Sequence, residues 1–357
     1  MGKQIVVVGG GIAGLETVLR LERELDAEIT LVEPRERMNF YPSSHKIIEG
    51  AGIEDTTIEY DEKFSGRDIK HVKYKMTGLK SGKNIVELEK NSVNYDKLVL
   101  AFGVETNFYG TERKNSYCLR SIKDLKKIRE DIESGIEDAV VVGGGATGVE
   151  ASASLDTVRK KEGYDFDIKI IQSGERLLPS NTEKTSRKVE RELQESGIEI
   201  KKGVRAEQVK QGCVECSNGD SCRCDLVIWA AGVKKRGIME EIDISQGRKG
   251  VEVNENMEVE GEDDIYAVGD ISDYGGKANR AYYALSEAKT AAKNIKSELK
   301  GNRRYSNSFF WDPQVIYLGG RTSVLEISGL TLKGLIPHIV REYFVDERYM
   351  LLRKHLL

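Results

Sequence analysis

Twice along the chain a run of β-branched residues ends in glycines and gives way to apolar residues at helical spacing. Residues 6–16 read VVVGGGIAGLE and residues 140–150 read VVVGGGATGVE. In the first copy Ile5–Val8 predicts a strand buried on both faces, and Leu15, Val18, Leu19 and Leu25 mark the apolar side of a helix. A second strand follows at Ile29–Val32 and ends in Glu33. In the second copy the helix after the glycines leads to a strand at Asp167–Ile171, which ends at Gln172. A strand–turn–helix–strand unit that occurs twice predicts an α/β fold built from two doubly wound, Rossmann-like, dinucleotide-binding domains.

The glycine spacing carries the chemistry. Gly9, Gly11 and Gly14 form G-x-G-x-x-G, as do Gly143, Gly145 and Gly148. The first glycine makes a tight turn, the second lets a pyrophosphate approach the backbone, and the third lets helix and strand pack closely. Phosphates then sit at the helix N-terminus. Glu33 is placed to accept hydrogen bonds from ribose hydroxyls. Gln172 stands where the second copy would carry its acid, and Glu150 lies in the second helix. Two such folds in one chain suggest two nucleotides, a resident flavin and a visiting nicotinamide.

Composition removes other classes. Among 357 residues there are 55 Lys and Arg against 59 Asp and Glu, a net charge of -4, which argues against a nucleic-acid binder. No apolar run is long enough for a spanning helix, and MGKQIVVVGG leads directly into a strand, so the reading is cytosolic. Cysteines occur only at 118, 213, 216, 222 and 224, an odd count that argues against a disulfide framework. Four of them lie in VKQGCVECSNGDSCRCDLVIWA, which predicts two strands joined at Asn218-Gly219. A regular hairpin there sets Cys213 opposite Cys224, with Cys222 on the same face and Cys216 pointing away. Packing or surface thiols and a cross-strand Cys213–Cys224 contact both stand as readings, and no metal site is assigned. Cys213-Val-Glu-Cys216 matches a redox C-x-x-C in letters but not in context.

Further segments resemble the two-dinucleotide-binding-domain flavoproteins over about residues 3–357. Lys97–Asn107, KLVLAFGVETN, is similar to the strand that leaves that family's FAD domain, with Ala101 and Gly103 in its closing tripeptide. Val227–Val233, VIWAAGV, resembles the exit from its NAD(P) domain, with Ala231 and Gly232 at the end. Ile265–Ile271, IYAVGDI, resembles the second FAD fingerprint, in which Gly269 and Asp270 contact the flavin and Asp270 binds a ribityl hydroxyl. EPRERMNFYPSSHKIIEG, residues 33–50, resembles the stretch that passes the flavin ring in type II NADH dehydrogenases and sulfide:quinone reductases, with Pro42 near the ring. ETNFYG and LRSIKDLKKIR also resemble the type II enzymes. The disulfide reductases' redox pair is missing, since no cysteine precedes residue 118, and of the pair the sulfide enzymes need only Cys118 lies near a suitable region, without an evident partner.

The resemblance implies FAD, NADH or NADPH as substrate, hydride transfer to flavin N5, and two electrons passed to a quinone. It implies an FAD domain at residues 1–105 and 255–315, an inserted NAD(P)H domain at 106–254, and a C-terminal segment at 316–357. That segment repeats Ile336, Ile339, Val340, Tyr343 and Phe344 at helical spacing, followed by Met350, Leu351, Leu352, Leu356 and Leu357. Arg341, Arg348, Arg353 and Lys354 lie among them. Such an amphipathic stripe suits the inner face of the cell membrane, a homodimer interface or a core contact. One departure concerns the glutamine signature after the second FAD fingerprint in the type II enzymes. Here Tyr282 takes the first place, and Ser286 or Glu287 the second. Tyr282 and Tyr283 then stack on a quinone or belong to the core. His45, His338 and His355 are isolated in sequence, His71 lies in a strand-like run, and none receives a catalytic role. Other readings left open are a soluble reductase of a redox protein, a sulfide:quinone reductase relative without the cysteines, and a flavin-binding sensor.

Overall fold

The computed structural model describes residues 2–308 and 313–354, without the side chains of 345–354. Strand β1 (Lys3–Val8) leads through the first glycine turn into α1 (Ile12–Glu24) and β2 (Ala27–Val32). A short helix at His45–Ile48 precedes β3 (Ile69–Val72) and β4 (Lys97–Leu100). The second unit runs α2 (Ile122–Ser134), β5 (Asp138–Val142), α3 (Ala146–Glu162), β6 (Asp167–Gln172), α4 (Glu183–Glu195), β7 (Glu199–Lys202) and β8 (Leu226–Trp229). The chain then returns with β9 (Ile265–Ala267) and α5 (Ala281–Leu299). It closes with an antiparallel meander, β10 (Gln314–Tyr317), β11 (Ser323–Ile327) and β12 (Leu330–Gly334), and with α6 (Leu335–Lys354).

The first sheet has the order β9-β4-β1-β2-β3 and the second β7-β6-β5-β8, and both are parallel throughout. Ile5 lies beside Ile29 and Lys97 in the first, and Val140 beside Lys169 and Val227 in the second. The β-branched runs are buried on both faces, as central parallel strands require: Ile5, Val6, Val7 and Val8, and again Val140, Val141 and Val142. Helix starts are capped where the second unit needs them. Ser121 Oγ accepts the Asp124 N–H at 3.2 Å, and Thr182 Oγ1 accepts the Thr185 N–H at 3.4 Å.

A short antiparallel ribbon, Glu105–Thr106 against Val233–Lys234, joins the two units. Beyond it Met239, Ile242, Val251 and Val253 pack into the first unit's core, ahead of β9. The second unit is thus inserted in the first. The C-terminal meander packs on the second unit: Ile316, Tyr317, Leu318 and Val324 share its core, and Glu326 accepts the Thr182 N–H and hydroxyl.

The cysteine hairpin is shifted one residue from the expected register. Cys213 pairs with Arg223 and Val214 with Cys222. The cause is the turn. The Gly219 N–H donates to the Cys216 carbonyl and the Cys216 N–H to the Asp220 carbonyl, with Gly219 at φ +86°. The loop therefore has three residues and a left-handed glycine, not two. A one-residue shift exchanges faces. Cys216, Cys222 and Cys224 share the buried face with Val214, while Cys213 lies half-buried on the other. Burial, first of all, pushes the Cys216 thiol up to about 11 and the Cys224 thiol to about 12. Those thiols are packing residues.

Candidate functional site

The two glycine turns are built alike. Gly9 has φ +104° and Gly143 φ +111°. A Cβ at Gly9 would meet the Phe102 backbone at 2.5 Å, and one at Gly143 would run into the Ala230 carbonyl. A Cβ at Gly14 would drive into the Gly9 carbonyl, and one at Gly148 into that of Gly143. Gly11 and Gly145, which cap α1 and α3, have nothing within 4 Å of the same position. Neither helix carries an acid in its first turn, so both N-termini are open to an anion.

Glu33 and Gln172 play equivalent parts. Glu33 is 3 % exposed and accepts the Gly10 N–H at 2.8 Å. Gln172 Oε1 accepts the Gly144 N–H at 2.9 Å. Each therefore braces the turn from the end of the second strand. Arg35 donates from Nε and Nη2 to the two Glu33 oxygens, both at 2.8 Å. Burial works to raise the Glu33 carboxyl, but the Arg35 and Gly10 bonds outweigh it and hold the group below the usual carboxylate range. Tyr60 completes the turn by donating its hydroxyl to the Gly10 carbonyl at 2.5 Å. Gln172 has no such cation. Its Nε2 donates to the Arg176 carbonyl at 3.2 Å. The Arg176 guanidinium is turned into its own loop, onto the carbonyls of Asn181 and Pro179 at 2.7 and 2.8 Å.

Ala101 is buried at the end of the first sheet, its N–H bonded to the Val8 carbonyl at 2.8 Å, and Gly103 follows at φ +65°. Their counterparts Ala231 and Gly232 close the second sheet, with Gly232 at φ +130° and its carbonyl accepting the Asn107 N–H at 3.0 Å. A small cavity of about 80 Å³ lies between the units, lined by Tyr41, Ser44 and His45 from one side and by Arg120, Thr147 and Glu150 from the other. Arg120 donates to Asp270 at 3.1 Å and lies over the Tyr41 ring at 5.0 Å. Asn39 Nδ2 and Ser43 Oγ, in the loop around Pro42, are buried without a hydrogen-bond partner. Open helix N-termini, braced turns and orphaned polar atoms beside the cleft fit a flavin dinucleotide on the first unit.

Sequence patterns missed three residues of this cleft. His45 is buried there, its ring 4.7 Å from that of Tyr317. Burial first, then the charges of Arg341 and Lys46, hold it well below the usual imidazole range, so it is neutral. Arg341, expected among the lipid-facing charges, is instead 2 % exposed. It donates to the Pro42 carbonyl at 2.9 Å and to Glu150 at 3.3 Å. Lys46 pairs with Glu342 at 2.7 Å, so α6 is tied to the loop around Pro42 twice. Arg120 is the third. No spacing pattern could have signalled these, because each partner lies on a remote element. Tyr282 is 41 % exposed and Tyr283 only 7 %. Glu287 is fully buried and Ser286 bonds to Asn307 at 2.9 Å, so the glutamine places hold a different network.

The chain is similar to known proteins over most of its length. The type II NADH:quinone oxidoreductase of Staphylococcus saprophyticus is 24% identical over 93% of this chain and 91% of its own. That of Haemophilus influenzae is 25% identical over 82% and 80%. Among solved structures, the sulfide:quinone oxidoreductase of Aquifex aeolicus superposes with a TM-score of 0.85 at 20% identity, covering 99% of this chain and 92% of that one. NDH2 of Plasmodium falciparum in complex with NADH gives 0.85 at 18%, covering 99% and 95%. At such identities these structures speak for the fold. The family model described as pyridine nucleotide-disulphide oxidoreductase matches residues 3–293, taking in both glycine turns, both strand exits and the Gly269–Asp270 turn. With that match over most of its length, the chain belongs to the pyridine nucleotide-disulphide oxidoreductase family.

Proposed function

We propose that the chain is an FAD-dependent NAD(P)H:quinone oxidoreductase of the type II kind. The observation that carries this is the pair of equivalent glycine turns in one chain, each braced from the end of its second strand. The relatives named above as NADH:quinone oxidoreductases span nearly the whole chain and support the acceptor. The chemistry that FAD supplies when bound is two-electron transfer from nicotinamide to quinone. The chain's own residues bind and orient. Gly9, Gly11, Gly14, Glu33 and the Ala101–Gly103 strand end form the FAD side, with Pro42, Gly269 and Asp270 toward the ring. Gly143, Gly145, Gly148, Gln172, Ala231 and Gly232 form the nicotinamide side, with Glu150 at the cleft. Tyr282, half-exposed beside the α5 N-terminus, is the aromatic residue left to meet a quinone.

The domain division we propose follows the two sheets: residues 1–105 and 255–315 for FAD, and 106–254 for the nicotinamide nucleotide. The packing of Met239–Val253 on the first core favours an earlier return, at the Val233–Lys234 ribbon. Among the described residues no helix is long and apolar enough to cross a membrane. Leu335, Ile336, Ile339, Tyr343 and Phe344 are nonetheless exposed along one side of α6, beside exposed Leu330 and Leu332. We read this patch as resting on an anionic lipid surface at the inner face of the cell membrane. The rest of the expected stripe, Met350 to Leu357, lies outside the described side chains.

Anaerobic mixing tests the activity. NADH should bleach the flavin absorbance, and a short-chain quinone should restore it within the same cell. A flavin that NADH reduces but quinone leaves reduced would point to a protein acceptor. A folded protein that takes up no FAD would end the reading.

A further inference from the structure

Beside the Gly269–Asp270 turn lies a buried ion pair. The side chains of Lys277 and Glu287 are 5 % and 0 % exposed. Between them they occupy both hydrogen-bonding groups of one residue. The Gly269 N–H donates to Glu287 Oε2 at 2.7 Å, and Lys277 Nζ donates to the Gly269 carbonyl at 2.8 Å. Ser272 closes the ring, accepting from Lys277 at 2.7 Å and donating to Glu287 at 2.8 Å. Lys277 also donates directly to Glu287 Oε1. All three ammonium donors and both carboxylate oxygens are therefore used.

A buried ion pair is a poor device for stability, because desolvation offsets most of its attraction, and an apolar pair of similar volume often serves as well. Here the pair's remaining bonds all go to one turn. Gly269 sits at φ +79°, and a Cβ there would stand 3.0 Å from that of Ala13. The turn is thus wedged between the first turn of α1 and α5, beside the G-x-G-x-x-G loop. Asp270, the next residue, faces the cleft toward Arg120.

We infer that Lys277 and Glu287 are positioning residues for FAD, gripping Gly269 so that Asp270 is presented to the cofactor. The inference rests on the flavoprotein reading above. The grip has a polarity: an N–H needs an acceptor and a carbonyl a donor, so the two side chains are not interchangeable.

FAD titration of the full-length protein, stripped of cofactor, tests this against Glu287→Gln, Glu287→Ala, Lys277→Met and the exchanged pair Lys277→Glu/Glu287→Lys. NADH binding by the second unit and far-UV circular dichroism report an intact fold. Glu287→Ala and Lys277→Met should weaken FAD binding by about tenfold or more, the scale of a lost charge-assisted hydrogen bond. Glu287→Gln should lose less, since its amide oxygen still accepts from Gly269. The exchanged pair should stay as weak as the single variants. Recovery of FAD affinity in the exchanged pair, or lowered thermal stability with unchanged FAD affinity in Lys277→Met, would overturn the inference. Wild-type protein that binds no FAD would instead overturn the flavoprotein reading.

Discussion

Glu33 and Gln172 stand at equivalent positions and differ by one charge. Replacing Glu33 by Ala removes the acceptor for Gly10 and orphans Arg35, so we expect FAD affinity to fall by about 1.5–3 kcal/mol, measured by titration. The pH dependence follows from the same bonds. The folded Glu33 carboxyl lies below its ordinary value of 4.5. Its contribution is therefore fully present above that value and is lost as pH falls through the lower folded one. Melting temperatures of wild type and Glu33→Gln should differ at neutral pH and converge in acid. At Gln172 the electrostatic barrier to a 2′-phosphate is missing, but Arg176, held by carbonyls, offers no attraction either. We expect kcat/KM for NADPH within about tenfold of that for NADH. Gln172→Glu should widen the gap in favour of NADH. A strong NADH preference that this substitution leaves unchanged would assign the choice to another residue.

At the scale of the element, α6 has two unlike faces. Ile336, Ile339, Tyr343 and Phe344 are exposed, while Arg341 on the other side reaches Pro42 and Glu150. Deleting the segment from residue 336 would remove both at once and so confuse anchoring with catalysis. Serine at the four exposed positions separates them. Each apolar side chain contributes about 1.5–3 kcal/mol when fully buried. The quadruple variant should therefore leave anionic liposomes while keeping NADH-to-ferricyanide activity. Arg341→Ala should stay on the membrane but turn over more slowly with either acceptor. Unchanged liposome binding in the quadruple variant, with a new dimer-to-monomer shift, would make the patch a second copy's interface.

The whole molecule is two nucleotide units joined by one short ribbon, so their alignment depends on contacts across the cleft. Arg120 of the second unit meets Asp270 and Tyr41 of the first. Hydride transfer is sensitive to displacements on the order of 1 Å. Arg120→Ala should slow anaerobic flavin reduction by NADH about tenfold, with each nucleotide still bound. Stopped-flow absorbance measures this directly, and an unchanged rate would show that the ribbon and the remaining contacts between the units set the alignment without Arg120.

The sequence by itself determined what local backbone chemistry dictates. The two glycine turns, their flanking strands, Glu33 and Gln172 at the strand ends, and the α/β class follow from short-range spacing, because a pyrophosphate turn permits few residues at each place. The tertiary structure decided what depends on remote partners. The cysteine hairpin took its register from a left-handed Gly219 in a three-residue loop, which sets Cys213 opposite Arg223 and not Cys224. Arg341 reads as a surface charge until α6 docks and buries it against Pro42. His45 is isolated in sequence and becomes a neutral cleft residue only when the units close around it. Lys277 looks like an ordinary surface charge, and Glu287, ten residues on, stands in the sequence only as one alternative for a signature glutamine. Only the packing of α5 against the Gly269 turn excludes water from both, and that exclusion makes their pairing specific.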